Sequence, residues 1–264
     1  MDVVTIEGRA LHYRDEGPRG GRVIAFANSL GTDLRVWDAL MAHLPDTLRT
    51  VRYDKRGHGL SDLGETPLSI ADLADDMAAL LHHLGVSRAT IVGLSVGGMI
   101  AQSLTARRPD LAEAVVLCDT GHVIGTAEMW NERIAAVEEG GIAAIAGPIL
   151  ERWFSPQFHT GRPGELALWR NMLTRTPQEG YCATASAIRD ADLTAAARGI
   201  DVPALCVVGT KDGATPPDLV RSLADLIAGS RFVDIEGAGH LPCVEAPAEL
   251  GRVISGFLKE NGLV

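Results

Sequence analysis

The chain of 264 residues has a formal net charge of −10 at pH 7, with 46% apolar and 22% charged residues. That length suits one α/β enzyme domain, and the apolar share is enough for a large core. The acidic balance argues against nucleic acid and against an anionic membrane as partners, because both need a basic footprint, and no run approaches the roughly 18 apolar residues of a membrane span.

Neither the N-terminus nor the cysteines indicate an oxidising compartment. The first residues lack a basic segment followed by a long apolar run, so no export signal is visible. The four cysteines are scattered without CxxC spacing, which favours reduced thiols over a zinc or redox site, and Cys118 and Cys206 are predicted to be core residues. We expect a cytoplasmic protein that needs no metal and no cofactor, and the sequence is compatible with a homo-oligomer.

Strands and helices alternate through the first half of the chain. Short strands are predicted at 3–6 and 9–13, and further strands at 22–27, 47–53, 89–94 and 112–118. Helices are predicted at 34–44, 69–84 and 96–107. Ser69 is suited to cap the second helix, with Asp72 in its first turn and Gly85 at its end. The alternation from residue 22 onward predicts a parallel sheet covered by helices on both faces.

The alternation stops between residues 120 and 197. Helical stretches follow one another there, at 127–139, 142–153, 165–174 and 179–188, with no clear strand among them. Strands resume at 204–208 and 232–235. We therefore predict an α/β core formed by 1–119 and 198–264, into which residues 120–197 insert a helical cap.

A Gly-Leu-Ser-Val-Gly run at 93–97 lies between a predicted strand and a predicted helix. This context is what a nucleophile elbow requires, because the turn is so tight that the residues beside the serine must be small. Gly93 and Gly97 leave that room, and Gly98 lets the helix approach the sheet. Ser95 is therefore the predicted nucleophile, exposed at the C-terminal edge of the sheet.

A serine hydroxyl needs a base, and His240 is the predicted one among the eight histidines. It lies in a glycine-rich loop beyond the last predicted strand, and in this fold the base follows the serine and the acid along the chain. Asp212, after the strand at 204–208, is the predicted acid that orients the imidazole. Asp119, at the end of the strand after the elbow helix, is the alternative acid. His58 is predicted to be a structural hydrogen-bonding residue.

The tetrahedral intermediate of such a reaction needs two main-chain donors for its oxyanion. The N–H of Val96, directly after the nucleophile, is one expected donor. The N–H of Leu30, in the loop after the strand at 22–27, is the other. Only main-chain groups act here, so the shape of that loop matters more than its side chains, and a plain turn is the alternative interpretation.

With these residues placed, the chain resembles the α/β-hydrolase superfamily along nearly its whole length, including the loops at 52–62 and 237–247. More narrowly, it resembles the 3-oxoadipate enol-lactonases. That likeness is carried by the Asn-Ser-Leu-Gly-Thr-Asp run at 28–33, by the elbow, and by cap segments at 124–126, 151–154, 179–181 and 191–193. The resemblance implies a carboxylic-ester or lactone hydrolase that converts 3-oxoadipate enol-lactone to 3-oxoadipate in aromatic catabolism.

The chain departs from that family's pattern at two positions. Asp119 stands where an asparagine is expected, and Val96 stands where methionine is frequent. Both departures leave the predicted nucleophile, base and acid in place, and they bear on the choice of substrate.

The implied lactone carries a free carboxylate, so an acidic protein must place a cation in its pocket. Arg133 is the predicted cation, since it lies one helical turn beyond Trp130 and shares its helix face. A solvated surface arginine is the alternative interpretation. Trp130 and Trp153 are predicted either to wall the pocket or to be buried core residues.

Other small-molecule activities are compatible with the same scaffold, because a fold does not fix a function. They are those of a general carboxylesterase, a C–C hydrolase or a perhydrolase. A third interpretation is a ligand receptor with a slow triad, which would turn over far below about 1 s⁻¹. A dehalogenase or an epoxide hydrolase is excluded, since those enzymes carry a carboxylate at the elbow where this chain has Ser95.

Overall fold

Eight strands form one sheet in the computed structural model, which describes residues 2–264. In chain order the strands are β1 (Asp2–Ile6), β2 (Arg9–Glu16), β3 (Val23–Ala27), β4 (Arg49–Tyr53), β5 (Ala89–Leu94), β6 (Ala112–Cys118), β7 (Ala204–Gly209) and β8 (Arg231–Ile235). In space their order is β1-β2-β4-β3-β5-β6-β7-β8. The pairs from β4 to β8 are parallel, whereas β1–β2 and β2–β4 are antiparallel. The predicted mostly parallel sheet is therefore confirmed.

The helices lie between these strands and after the last of them. They are α1 (Asp38–Met41), α2 (Ile70–His83), α3 (Val96–Arg107), α4 (Ala127–Trp153), α5 (Pro156–Gly161), α6 (Pro163–Thr174), α7 (Gln178–Arg189), α8 (Thr194–Arg198), α9 (Pro217–Leu226), α10 (Pro242–Glu245) and α11 (Pro247–Glu260). No helix among residues 2–264 is long and apolar enough to cross a membrane.

The centre of the sheet is the core of the molecule. Strands β3, β5 and β6 are buried along their full length, which explains why their sequences are mostly apolar instead of alternating. Glu113, the charged residue of β6, pairs with Arg22. The helices form two packed groups, α2 with α3 and α1 with α11, as expected when both faces of a sheet are covered. Cys118 and Cys206 are buried in the core, as predicted.

The signals at the ends of α2 act as the sequence predicts. The hydroxyl of Ser69 accepts the N–H of Asp72, and the Asp72 carboxylate accepts the N–H of Ser69, which forms a capping box. Gly85, one residue beyond the C-cap, has a φ of 67°, a left-handed conformation that glycine adopts without strain.

The predicted helix at 34–44 is wrong in length and type. The structure has a 3-10 turn at Leu34–Trp37 followed by the single turn of α1. At its start, the Asp33 side chain accepts the Arg35 N–H, which fixes a tight turn at that end. At the other end, Pro45 disfavours helical conformation in the residue before it. The apolar spacing extends further than the helix because Leu40 and its neighbours pack on the core without continuing the helix.

Between β6 and β7 the described residues form helices α4 to α8 and no strand. The two helices predicted at 127–139 and 142–153 form one stretch, α4, which is broken at Gly141, where φ is 69° and ψ is 171°. Helices α5 and α8 were not predicted, since six and five residues are too few to show a helical period. Helix α4 packs against α6 and α7, and α5 packs against α6.

Candidate active site

Ser95 occupies the turn between β5 and α3. Its φ of 58° and ψ of −120° are strained for a residue with a side chain. Hydrogen bonds to β6 and the residues after it hold its main chain: its N–H donates to the Cys118 carbonyl at 3.0 Å, and its carbonyl accepts the Thr120 hydroxyl at 2.6 Å. Gly97 is required by space, since a Cβ there would lie 1.9 Å from the Ala27 carbonyl oxygen. The local geometry is therefore the strand–turn–helix of a nucleophile elbow.

A hydrogen bond joins His240 and Asp212. Nδ1 of His240 lies 2.9 Å from Oδ2 of Asp212, and these side chains are 2% and 0% exposed. Asp212 follows β7 and His240 follows β8, so both lie at the sheet edge where β5 ends at Ser95. With Nδ1–H directed at a carboxylate, Nε2 is the ring nitrogen left free to accept a proton.

Hydrogen-bond donors surround the Asp212 carboxylate. The Thr215 hydroxyl donates to Oδ2 at 2.7 Å, and the N–H groups of Thr215 and Ala214 donate to Oδ1 at 3.0 and 2.7 Å. Burial opposes ionisation of Asp212, but the neighbouring His240 and these hydrogen bonds outweigh it and lower its pKa. Thr215 was not predicted as part of the site. The Asp-x-x-Thr spacing at 212–215, typical of a turn closed by side-chain hydrogen bonds, is the signal that could have found it.

Asp119, the alternative acid, lies beside the same pair. Its Oδ1 accepts the Gly209 N–H at 2.8 Å, and its Oδ2 is buried without a hydrogen-bond partner among the described residues. Potential ligand atoms of Asp119, Asp212 and His240 all lie within 4.8 Å of one another. Burial, and then the charge of Asp212, raise the pKa of Asp119 well above its ordinary value. The three groups have the ligand types of a metal site, but Asp212 already occupies Nδ1 of the ring.

The two predicted oxyanion donors lie on segments that approach each other. Val96 is the first residue of α3, and Leu30 lies in the loop after β3. In the part of the chain that the structure describes, neither N–H has a hydrogen-bond partner. A side chain from the segment after β4 holds the loop of Leu30, since the Gly31 N–H donates to Nε2 of His58 at 3.1 Å. His58 is therefore a structural hydrogen-bonding residue, as its position in the sequence indicated.

Trp130 and Trp153 are buried in α4, each 4% exposed. Nε1 of Trp130 donates to the Ile124 carbonyl at 2.6 Å. The carbonyl of Trp153 accepts the His240 N–H at 2.8 Å, and a Cβ built at Gly31 would lie 3.6 Å from the Trp153 ring. The structure thus brings Trp153 between the histidine loop and the Leu30 loop, whereas Trp130 is hydrogen-bonded to the segment before α4.

The guanidinium of Arg133 lies over two aromatic rings. Its Cζ is 5.2 Å from the ring centroid of Trp130 and 5.8 Å from that of Tyr181. Arg133 is partly buried, and its Nε has no hydrogen-bond partner among residues 2–264. Tyr181 in turn is fully buried, and its ring would lie 3.4 Å from a Cβ built at Gly31. Sequence reasoning assigned Tyr181 no role, yet it connects Arg133 to the loop of Leu30.

The fold and the elbow define the class of protein. The sequence pattern of the alpha/beta hydrolase family matches residues 15–253, and the chain belongs to this family. It is 32% identical to 3-oxoadipate enol-lactonase 2 of Acinetobacter baylyi, over 98% of this chain and 96% of that protein. It is 31% identical to the pimeloyl-[acyl-carrier protein] methyl ester esterase of Neisseria meningitidis, over 96% and 83% of the two chains.

Comparison with solved structures also finds hydrolases. The chain superimposes on the enol-lactonase from Burkholderia xenovorans LB400 with a TM-score of 0.94 and 38% identity, covering 98% of this chain and 100% of that one. A hydrolase from Pseudomonas aeruginosa PA01 follows at a TM-score of 0.93 and 35% identity, covering 97% of each chain. The chain is therefore an enzyme that hydrolyses a carboxylic ester or a lactone.

Proposed function

We propose that the chain hydrolyses 3-oxoadipate enol-lactone to 3-oxoadipate through an acyl-enzyme formed on Ser95. Its similarity to two proteins named as enol-lactonases, over nearly its whole length, supports this substrate. The observation that carries the proposal is Arg133, a partly buried cation whose Nε lacks a partner among the described residues. A lactone with a free carboxylate supplies the anion that such a cation would bind. In this proposal, residues 120–197 are the cap over the nucleophile.

Acylation in this proposal follows from the hydrogen bonds around His240. Oγ of Ser95 attacks the lactone carbonyl carbon while its proton moves to Nε2 of His240. Asp212 accepts the Nδ1–H and stabilises the imidazolium that forms. The N–H groups of Leu30 and Val96 donate to the oxyanion, and each such donor contributes about 3 kcal/mol in a site that excludes water.

Collapse of the tetrahedral intermediate breaks the ring C–O bond. The electron pair goes to the enol oxygen, which leaves more readily than an alkoxide because an enol is the stronger acid, and it takes the proton from His240. The chain-opened product stays joined to Ser95 as an acyl ester. Water then attacks this ester with His240 as base, and the second collapse returns the proton to Ser95 and releases the acid.

Arg133 determines specificity in this proposal. The rings of Trp130 and Tyr181 hold its guanidinium in a fixed orientation. Tyr181 packs on Gly31, next to Leu30, so that its ring lies between the cation and the loop of the proposed oxyanion donor. A carboxylate bound to Arg133 would fix one end of a small lactone.

The test follows the loss of ultraviolet absorbance of the enol-lactone, generated in situ, with wild type and three variants. Ser95→Ala is expected to abolish turnover. Arg133→Met is expected to lower kcat/KM for the lactone about 10–100-fold, mainly through KM, because a hydrogen bond to a charged group contributes about 1.5–3 kcal/mol. Arg170→Met, on an exposed position of α6, is the matched control and is expected to change nothing.

Neutral p-nitrophenyl acetate separates the parts of this proposal. Its cleavage should need Ser95 but should be insensitive to Arg133→Met. Ester cleavage without lactone cleavage would retain the Ser95 site and replace the substrate with another carboxylic ester. Equal losses on both substrates would contradict the role of Arg133. Turnover far below about 1 s⁻¹ on every ester would instead favour a ligand receptor.

A further inference from the structure

Lys55 is buried beside the loop of Leu30. Lys211 and Lys259 are exposed, whereas Lys55 is 1% exposed. Its Nζ donates to the carbonyl of Ser29 at 2.6 Å and to that of Thr32 at 3.3 Å. A lysine is almost never fully buried without a paired charge, yet both of these acceptors are main-chain oxygens. No step of the proposed reaction uses this side chain, so its burial needs another explanation.

The Ser29 carbonyl belongs to the same peptide unit as the Leu30 N–H. The unit is planar and trans, so its C=O and N–H point in opposite directions. The carbonyl oxygen accepts three donors: Nζ of Lys55, and the hydroxyl and N–H of Thr32 at 2.9 and 3.3 Å. These donors fix the plane of the unit and direct the Leu30 N–H to the opposite side, where the described residues provide it no acceptor.

We propose that Lys55 is a positioning residue that orients and polarises the Ser29–Leu30 peptide as an oxyanion donor. This inference rests on the proposed function, since it takes the Leu30 N–H as one of the two donors. A donor on the carbonyl oxygen withdraws electron density from the amide and strengthens the N–H on the other side, as in a chain of hydrogen bonds. A charged donor does so more strongly than a neutral one. Lys55 therefore acts on the transition state without touching the substrate.

Groups on both flanks of the loop act on this arrangement. Burial lowers the pKa of Lys55 to about 7, whereas the nearby carboxylates of Asp54 and Asp33 favour the charged amine, so the ammonium donor predominates below about pH 7. His58 accepts the Gly31 N–H, and burial followed by the charge of Lys55 lowers its pKa well below its ordinary value, which keeps the ring neutral and able to accept. The segment after β4 thus holds the Leu30 loop through Lys55, which donates to the Ser29 carbonyl, and His58, which accepts the Gly31 N–H.

The experiment compares Lys55→Met with Lys259→Met, the same change at an exposed position of α11, using p-nitrophenyl acetate as substrate. Lys55→Met is expected to lower kcat about 10–100-fold, which does not exceed the loss in kcat caused by removing a whole oxyanion donor. KM is expected to stay within about threefold of the wild-type value. Affinity for a trifluoromethyl ketone, which adds to Ser95 as an anionic hemiketal, should fall by the same factor as kcat/KM. Thr32→Val, which removes another donor to the same carbonyl, should shift kcat in the same direction by a smaller factor.

The outcomes separate this inference from the substrate assignment. A folded Lys55→Met variant with wild-type kcat would overturn the inference. A variant in which KM rises by the same factor as ketone affinity falls would also overturn it, because the loss would then lie in ground-state binding. If Lys55→Met does not fold, an unchanged kcat and ketone affinity in Thr32→Val would overturn it. Ester cleavage that depends on Lys55 in a protein that does not cleave the lactone would support the inference and reject only the substrate. Ester cleavage that survives Ser95→Ala would reject the site and this role together.

Discussion

Asp119→Asn tests the arrangement of two carboxyl groups beside one imidazole. If Asp119 and Asp212 were both ionised, two like charges within 4.8 Å of each other would repel by at least about 3.5 kcal/mol at an effective dielectric constant of about 20. Burial adds to that cost, so Asp119 retains its proton while Asp212 is ionised. An asparagine has the same neutral charge and shape, and its amide can still accept from the Gly209 N–H.

The sign of the expected effect on stability follows from proton linkage. The pKa of Asp119 in the folded chain is raised above its ordinary value of 3.8, so above about pH 4 the folded state retains a proton that the unfolded state has released. The contribution of Asp119 to the free energy of unfolding therefore falls by about 1.4 kcal/mol per pH unit until its folded pKa is reached. Asp119→Asn lacks this proton, so its advantage over wild type should grow by about 1.4 kcal/mol per pH unit for as long as Asp119 stays protonated in the folded chain.

The assay is urea unfolding of wild type, Asp119→Asn and Asp225→Asn at pH 5, 6, 7 and 8. Asp225 is exposed in α9, so the same change there controls for the loss of one carboxylate. At pH 7 we also expect Asp119→Asn to retain kcat within about threefold, since the charge beside His240 does not change. A stability difference that stays constant across this pH range would mean that Asp119 is ionised in the folded protein and would refute the reasoning.

Four further changes test other parts of the structure. Asp212→Asn is expected to lower kcat on p-nitrophenyl acetate about 10⁴-fold with an unchanged circular dichroism spectrum, because an amide favours the wrong imidazole tautomer. Gly97→Ala should prevent folding, since its Cβ would lie 1.9 Å from a carbonyl oxygen, whereas Gly256→Ala, in α11 with open space around it, should raise the free energy of unfolding by about 0.5–1 kcal/mol. Arg56→Met should lower it by about 3 kcal/mol in urea unfolding, because the buried carboxylate of Asp76 loses its closest partner.

The sheet could be predicted from sequence because its central strands are buried on both faces. Runs such as 89–94 and 112–118 are therefore mostly apolar, and the close approach of Ala27 requires glycine at position 97 in the turn after the first run. Chain order then separated His240 from the other histidines. Short helices such as α5 were missed, because their ends depend on single caps and prolines and not on an apolar period.

The remainder of the site depends on contacts that periodicity does not encode. Sequence order left Asp119 and Asp212 both open as the acid, and the distance from Nδ1 of His240 to the Asp212 carboxylate distinguishes them in the structure. Lys55 gives no sign of burial in sequence, since lysines are mostly exposed. The position of Arg133 over Tyr181 requires α4 and α7 to meet, which is a property of the folded helical segment.

The break of α4 at Gly141 has a consequence for how this enzyme can diversify. The half of α4 before the break carries Trp130 and Arg133, while the half after it ends at Trp153, whose carbonyl accepts the His240 N–H. The helix is therefore two segments joined at a non-helical residue: in the proposed function the first carries the cation for the substrate carboxylate, and the second is hydrogen-bonded to the loop of the base. Substitutions in the first segment would then change substrate choice without altering the hydrogen bond between Trp153 and His240.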